Sequence, residues 1–281
     1  MCHDSPPAGH PQSVRTDGHD SAIGSEDGSS TTSMDDAPQL QNEDLHHMLQ
    51  TLNEGKLYYA PIHEPGEVLD VGTGTGIWAR EFADEFPSTV VTGVDKLPIQ
   101  GSWTRPNCRF EVDDVRKEWT YREGRFGFVH IRCLLGCIRD WDTFYQQAYR
   151  SVEPGGWIEH AEISAEIASQ NILIPPDHIF ARWNHSVRQA GEMLSPAACM
   201  EQAGFVGVKT KKLKLPIGLW PMDQRLKGVG ACHKNFLKDG IHRLASQLRL
   251  NVLSIGEGEV KAFMREMVKA FDNRTLLLYC E

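Results

Sequence analysis

The feature that most constrains the fold is a run of three glycines at alternate positions, set between a strand-like and a helix-like stretch. The run reads Val68-Leu69-Asp70-Val71-Gly72-Thr73-Gly74-Thr75-Gly76-Ile77-Trp78. Glycine lets the backbone turn tightly and approach a ligand without a Cβ atom in the way. A plain strand-to-helix turn seldom needs three glycines in five residues. The run therefore predicts a nucleotide-type ligand at this loop.

Strand-like and helix-like stretches alternate around this loop. The apolar pattern predicts strands over 67–71, 89–94, 109–112, 126–132 and 157–163, and helices over 77–86 and 142–152. This order predicts an α/β fold with a mostly parallel sheet and helices on both faces. Right-handed crossovers bring every loop after a strand to the same edge of the sheet, which is where such sheets bind ligands.

The second half of the sequence is less regular. We predict helices over 177–203, with Pro196 interrupting, over 220–253 and over 259–271. Strands are expected over 205–215 and 276–279. The helices within 165–255 are expected to form a lid over the sheet.

Composition separates residues 1–42 from the rest of the chain. This segment has no Phe, Trp or Tyr, is rich in Ser, Gly and Pro, and carries a charge of -6 out of the total of -9. Because it has so little to bury, it cannot offset the entropy of ordering, and we predict a disordered acidic tail. Residues 43–281 are then a single, nearly neutral domain.

Several classes of protein are excluded or disfavoured by the same counts. No apolar run is long enough to span a bilayer, and an acidic balance disfavours direct binding to nucleic acid or anionic membrane. Seven cysteines at wide spacing include no Cys-x-x-Cys pair, so we expect neither a disulfide framework nor a bound metal. A reducing compartment fits best, which predicts a cytoplasmic protein.

The position of Asp70 decides between two kinds of nucleotide ligand. Dinucleotide sites have the spacing G-x-G-x-x-G, whereas here the third glycine comes one residue early. A carboxylate two residues before Gly72 would repel a pyrophosphate but can hold a cationic amino group. S-adenosylmethionine carries such an amino group and no phosphate, so the acid favours S-adenosylmethionine.

Further acids follow the next two strands. Asp95 comes 19 residues after Gly76, where a carboxylate can accept both hydroxyls of a ribose. Asp113 and Asp114 follow the third strand on the same edge, and one of them could accept the adenine amino group. A solvated acidic turn is the alternative, and the sequence does not decide which of the two aspartates points at the ligand.

With these motifs in place, the chain resembles the class I S-adenosylmethionine-dependent methyltransferases, and most closely the fungal LaeA-like branch. The resemblance rests on several short motifs: Leu45-His46-His47, Asp70 to Gly76, Pro98-Ile99-Gln100, Cys108 to Asp114, His130-Ile131-Arg132, Leu134-Leu135-Gly136 and Gly155-Gly156-Trp157. It covers most of residues 43–275. It implies a Rossmann-like fold with a seven-stranded sheet, and a cofactor site that includes Gly72, Gly74 and Gly76.

Methyl transfer depends more on the positioning of the two reactants than on a fixed catalytic residue, although a base helps when the acceptor is a hydroxyl group. His130 is our candidate base, with a structural, hydrogen-bonded histidine as an equal alternative. For His160, which shares a strand face with Glu162, the structural interpretation is preferred. Arg132 is expected to bind the methionine carboxylate of the cofactor or an acidic acceptor.

Two further groups of side chains have weaker interpretations. Trp103, Trp183 and Trp220 could cover an apolar acceptor, although ordinary core positions are more common for tryptophan. Four lysines, Lys209, Lys211, Lys212 and Lys214, are taken as a solvent-facing strand in preference to a nuclear signal.

We therefore predict an enzyme that methylates a small-molecule acceptor, at oxygen, in fungal secondary metabolism. A nuclear regulator that acts in a protein complex is the alternative, and would add a protein partner and a nuclear location. A third alternative keeps the fold and cofactor pocket but serves as a cyclase or scaffold.

Overall fold

The computed structural model describes residues 39–101, 104–134, 136–189, 196–248 and 257–281. The predicted tail therefore lies outside the described residues up to residue 38, as does Trp103. Residues 190–195 and 249–256 also lie outside the described residues, and they include parts of the helices predicted over 177–203 and 220–253. The first helix begins at Gln39, four residues before the predicted start of the domain.

The described chain forms eight strands and seven helices. The strands are β1 (Glu67–Val71), β2 (Val90–Asp95), β3 (Cys108–Val112), β4 (Phe126–Arg132), β5 (Val152–Ala161), β6 (Ala168–Ser169), β7 (Leu215–Pro216) and β8 (Leu278–Cys280). The helices are α1 (Gln39–Leu52), α2 (Ile77–Glu85), α3 (Trp141–Ser151), α4 (Ile179–Gln189), α5 (Pro196–Ala203), α6 (Gln224–Leu248) and α7 (Glu257–Ala270). In this part of the chain no helix has both the length and the apolar character needed to cross a bilayer.

The central sheet has the order β3-β2-β1-β4-β5, and every pair of neighbouring strands is parallel. Successive side chains along a strand point to opposite faces, and both faces are buried here. On β1, Val68 belongs to the apolar cluster under α2, whereas Leu69 belongs to the cluster under α3 and α5. Helices thus cover both faces, as the alternation of strands and helices predicted.

The prediction of seven strands in one sheet is wrong, because the central sheet has five. The three short strands form a separate sheet of order β6-β8-β7, in which β8 is antiparallel to both neighbours. β6 follows β5 in the chain after a break over residues 162–167. The backbone N–H of Ser164 donates to the carbonyl of Glu281 at 2.6 Å within this break. This hydrogen bond links the break after β5 to the residue that follows β8.

The predicted strand over 205–215 accounts for much of this difference. Only its last residue lies in a strand, and residues 209–212 are exposed without regular structure. Gly207 has a φ of 67° in the left-handed region, and four lysines leave this stretch few apolar side chains to bury against β5. Among the described residues the outer edge of β5 consequently pairs with no strand.

A second apolar core surrounds the short sheet. It is formed by α4, α7, β8 and Ile217, which follows β7, and its fully buried members include Phe180, Trp183 and Met267. α1 packs beside α6 through a smaller cluster that contains Met48 and Val229. Within the predicted lid, residues 165–255, the structure describes the helices α4, α5 and α6, the irregular stretch 205–214 and the short strands β6 and β7.

Candidate functional site

The glycine loop occupies residues 72–76, between β1 and α2. Gly72, Gly74 and Gly76 have φ angles of 69°, 58° and 77°, in a region that other residues adopt only with strain. The backbone N–H groups of Gly72 and Thr73 both donate to the carbonyl of Val94, at 2.9 and 3.0 Å. The backbone conformation itself therefore requires the three glycines.

Packing is a second reason for glycine at two of these positions, and it cannot be seen in the sequence. A Cβ atom on Gly72 would lie 2.5 Å from Cδ2 of Leu134, and one on Gly76 would lie 2.3 Å from the ring of Phe110. The missing side chains thus make room for protein atoms. The close approach of a ligand, which is the reason that the sequence analysis gives for the glycines, is therefore not needed to explain Gly72 and Gly76.

Asp70 lies beneath the loop with both carboxylate oxygens engaged. It is 2% exposed, and Oδ2 accepts a hydrogen bond from the hydroxyl of Thr73 at 2.6 Å. Oδ1 lies 2.7 Å from Nδ1 of His130, which is itself 2% exposed. The two strands bring these residues together, since Asp70 and His130 are direct register partners on β1 and β4.

Trp78, which sequence reasoning did not assign to the site, fixes the plane of the histidine. Its indole lies flat on the imidazole of His130, with ring centroids 3.7 Å apart and an interplanar angle of 4°. The indole N–H donates to the carbonyl of Leu57 at 2.9 Å. A tryptophan in the first turn after the third glycine was the available signal, but nothing in its spacing indicated a partner on β4.

Asp95 closes the other side of the loop. Its Oδ2 accepts from the backbone N–H of Gly74 at 2.9 Å, and its Oδ1 accepts from that of Leu97 at 3.1 Å. Gln100 adds a further contact, because its side-chain amide donates to the carbonyl of Gly74 at 2.6 Å. A carboxylate has about four lone-pair positions, so Asp95 keeps room for ligand hydroxyls.

The two aspartates after β3 have different surroundings. Arg116 binds both oxygens of Asp114, at 2.7 and 2.6 Å, and lowers the pKa of that carboxyl to about 2. Asp113 is exposed, and its backbone N–H donates to the carbonyl of Asp95 at 3.0 Å. Asp113 is thus tied to the end of β2 and has no arginine on its carboxylate among the described residues.

Arg132, the last residue of β4, lies on the far side of the loop from Asp95. Its Nη2 lies 2.9 Å from Nδ1 of His46, a fully buried residue of α1. Among the described residues Arg132 forms no ion pair with a carboxylate. A half-buried guanidinium without an anionic partner is a fitting site for an anion.

His160 and Glu162 belong to a chain of hydrogen bonds that begins at Tyr145. The Glu162 carboxylate can only accept the Nε2 proton of His160, so Nδ1 presents a lone pair and the hydroxyl of Tyr145 donates to it. Burial raises the pKa of this phenol, which agrees with a protonated hydroxyl. Nε2 of His160 then carries the proton and donates to Glu162 at 2.8 Å. Both ring nitrogens are occupied, which agrees with the structural interpretation of His160.

Trp183 and Trp220 have partners away from the glycine loop, and Trp103 lies outside the described residues. Trp183 is buried in the second core, and its indole N–H donates to Ala165, while that of Trp220 donates to Leu278. Neither covers the loop. Of the lysines, Lys211 lies over the ring of Tyr59, 3.8 Å from its centroid, and the others are exposed.

A cavity of about 1370 Å³ runs along the unpaired edge of β5. One end reaches His130 and Arg132, at the edge of the sheet that carries the glycine loop, and the other end reaches Gly155. Its walls include Trp157, from β5, and Phe205. No strand of the described chain covers this edge of β5, which leaves the space open. The cavity is larger than the 300–1,000 Å³ or so typical of small-molecule sites.

Comparison with known proteins identifies relatives over most of the chain. Residues 45–209 match the family model of a methyltransferase domain. Methyltransferase pytC of Aspergillus terreus is 36% identical over 226 residues, which cover 77% of this chain and 69% of pytC. Secondary metabolism regulator LAE1 of Cochliobolus heterostrophus is 30% identical over 262 residues, which cover 85% of each chain. Protein-methionine methyltransferase laeA of Emericella nidulans is 28% identical, and the match covers 75% of this chain and 59% of laeA.

Proposed function

This chain belongs to the methyltransferase domain family, and we propose that it transfers a methyl group from S-adenosylmethionine to a hydroxyl oxygen of a small molecule. The acceptor is a product of fungal secondary metabolism, which is the context named for its relative LAE1. The observation that carries the proposal is the set of charged groups around one glycine loop.

The charges and hydrogen-bonding groups of these residues complement the polar parts of the cofactor. S-adenosylmethionine has an ammonium group, a carboxylate, a ribose diol and an adenine amino group. Around the loop, Asp70 lies in β1, one residue before its end, Asp95 ends β2 and Asp113 follows β3. Arg132 ends β4, the neighbour of β1 on its other side. Three acceptors and one cation on adjacent strands thus offer a partner for each of the four polar parts of this ligand.

We assign Asp95 to the ribose hydroxyls and Asp113 to the adenine amino group. Asp114 is not chosen, because Arg116 already binds both of its oxygens. Asp70 lies under the loop, where its charge attracts the ammonium group while its oxygens hold Thr73 and His130. Arg132 takes the methionine carboxylate.

The chain's own residues are arranged to hold a proton close to this site. When bound, S-adenosylmethionine supplies a methyl group already activated on a sulfonium. Asp70 accepts the Nδ1 proton of His130, so the lone pair of the neutral imidazole is on Nε2. His130 also lines the cavity. We propose that Nε2 accepts the proton that the acceptor hydroxyl loses, while the Trp78 ring keeps the imidazole in plane.

The cavity along β5 is our candidate acceptor site. It joins His130 and Arg132 to apolar walls that include Trp157 and Phe205. Small-molecule sites combine apolar walls with a few polar groups in this way. An apolar acceptor with a hydroxyl group at one end would fit the arrangement.

Calorimetry with S-adenosylmethionine tests the cofactor assignment. The unmutated protein should bind it, and Asp95→Ala should weaken binding at least tenfold, because two ribose hydroxyls lose their acceptor. Asp223→Ala, which removes an exposed carboxylate outside the glycine loop, is the matched control. Absence of binding by the unmutated protein would refute the proposal.

A regulatory role is the second candidate, favoured by the match to LAE1 over 85% of each chain. It would add a protein partner and a nuclear location to a protein that we otherwise place in the cytoplasm. Incubation with labelled cofactor and either metabolite or nuclear protein extracts separates the two. Label in small molecules supports the enzyme of metabolism, and label only in protein supports the regulator.

A further inference from the structure

A buried histidine that the proposed function does not use holds the guanidinium of Arg132. His46 lies on α1 and is 0% exposed, and its Nδ1 is 2.9 Å from Nη2 of Arg132. The contact joins the first helix to the end of β4, across 86 residues of sequence. Among the described residues, no other side chain forms a hydrogen bond or an ion pair with the guanidinium of Arg132.

The proton on His46 can be located from its partners. A guanidinium has only donors, so Nδ1 of His46 must present a lone pair, and the imidazole is neutral. Its proton is then on Nε2, which donates to Oε2 of Glu81 at 3.0 Å. Gln50, four residues after His46 on α1, donates to the same oxygen at 3.0 Å. Burial, followed by the charge of Arg132, lowers the pKa of His46, in agreement with a neutral ring.

The same atoms could suggest a metal site, since ligand atoms of His46, His47 and Glu81 lie within 4.8 Å of one another. A metal ion on Nε2 would displace the only proton of the ring while Nδ1 still faces the Arg132 donor. The imidazole would then have to be an anion. The position of Arg132 therefore argues against a cation here.

Arg132 is placed to meet the cofactor. On β4 it follows Ile131, whose register partner is Val71, so Arg132 is level with Gly72 at the start of the glycine loop. Its side chain shares a strand face with His130. Because His46 occupies Nη2, the remaining nitrogens are left for a ligand.

We infer that His46 is a positioning residue, which orients the Arg132 guanidinium toward the methionine carboxylate of S-adenosylmethionine. The inference rests on the proposed function. Arginine has a flexible stem, and its planar fork binds a carboxylate well only in a defined orientation. His46 supplies that orientation without a competing negative charge, and Glu81 and Gln50 in turn fix the imidazole.

The test compares two ligands that differ only at the amino acid end of the cofactor. S-adenosylhomocysteine keeps the carboxylate, whereas methylthioadenosine has the same adenosine and sulfur without it. Calorimetry on the full chain should show that His46→Leu weakens S-adenosylhomocysteine about tenfold and methylthioadenosine less than twofold. His46→Gln keeps both an acceptor and a donor, so it should recover most of the lost affinity.

Two further variants separate a specific effect of His46 from general damage to the protein. His63→Gln, at an exposed position outside α1, is the matched control and should change neither affinity. Glu81→Ala removes the acceptor of the Nε2 proton, and should give the same selectivity at about threefold, even if His46→Leu does not fold.

Equal losses for both ligands, or no loss for either, would overturn the role of His46. Failure of His46→Gln to recover any affinity would do the same. If the unmutated protein binds neither ligand, the proposed function itself fails, which is a different result.

Discussion

The Oδ1 atom of Asp70 lies 2.7 Å from Nδ1 of His130. Both side chains are buried, and they lie on neighbouring parallel strands. The other oxygen of Asp70 accepts the hydroxyl proton of Thr73. One carboxylate therefore fixes both the glycine loop and the ring that we propose as the base.

Asp70→Ala should lower the free energy of unfolding by about 3–5 kcal/mol, because it leaves two buried donors without an acceptor. Asp70→Asn keeps one acceptor oxygen and should cost about half as much. Urea denaturation measures both. A loss below about 1 kcal/mol for Asp70→Ala would contradict the hydrogen bonds described.

His130→Asn should lower the methylation rate about 10²- to 10⁴-fold, the usual contribution of a general base. Affinity for S-adenosylmethionine should change little, since His130 is not assigned to the cofactor. Rates are to be expressed per mole of protein that binds the cofactor, so that unfolded protein does not count. A normal rate under these conditions would leave His130 a structural residue.

Gly76→Ala should destabilise the protein by about 2–4 kcal/mol, because a φ of 77° and contact with the Phe110 ring both oppose a side chain. Gly55→Ala is the matched comparison. Gly55 has a φ of 85° but open space around the added methyl, so only backbone strain of about 1 kcal/mol is expected. Equal costs from denaturation curves would show that the packing of Phe110 contributes nothing.

Asp113→Asn and Asp114→Asn should have unequal effects on cofactor affinity. We expect Asp113→Asn to weaken S-adenosylmethionine about tenfold, and Asp114→Asn to change its affinity less than twofold, because Asp114 is bound by Arg116. Calorimetry on both variants decides the matter. The reverse order would move the adenine contact to Asp114.

His233, on α6, should make the contact between α6 and β7 sensitive to acid. It is 0% exposed, its Nδ1 donates to the carbonyl of Pro216 at 3.0 Å, and its Nε2 has no partner. Burial lowers the pKa of His233 to about 4, from an ordinary value of 6.5. The unfolded chain therefore binds a proton in the window between these values, and the folded chain does not.

The contribution of His233 to stability should be complete above about pH 6.5 and decline by about 3 kcal/mol as the pH falls toward 4. Urea denaturation from pH 4 to 7 measures it. His233→Gln cannot titrate and should flatten this slope. His185→Gln, at an exposed position on α4, is the control and should leave the slope unchanged.

Much of the central sheet could be predicted from periodicity and loop residues. The strand over 126–132 is found with the predicted bounds, and the family resemblance inferred from the motifs is confirmed by the matches to pytC and LAE1. Buried parallel strands are continuous apolar runs, which makes them easy to recognise. The segment 205–215 could not be predicted, because alternating lysines imitate a half-exposed strand.

The candidate site could be predicted only as a set of separate residues. Asp70 and His130 were each singled out, yet the sequence gives no register between strands 60 residues apart, so their hydrogen bond was not foreseen. The contact of His46 with Arg132 was missed for the same reason. Helical spacing does place His46 and Gln50 on one face, but it does not reveal what that face touches.

The break over residues 162–167 has a consequence for how the molecule opens. In the part of the chain that the structure describes, no ladder of strand hydrogen bonds connects the five-stranded sheet to the short sheet, and each sheet has its own apolar core. Amide protons of β7 and β8 can then exchange with solvent through a partial opening that leaves β1 and β4 protected. Leu215 and Tyr279, on β7 and β8, line the proposed acceptor cavity. The same opening would widen that side of the cavity for a bulky molecule, while the half that carries the glycine loop stays folded.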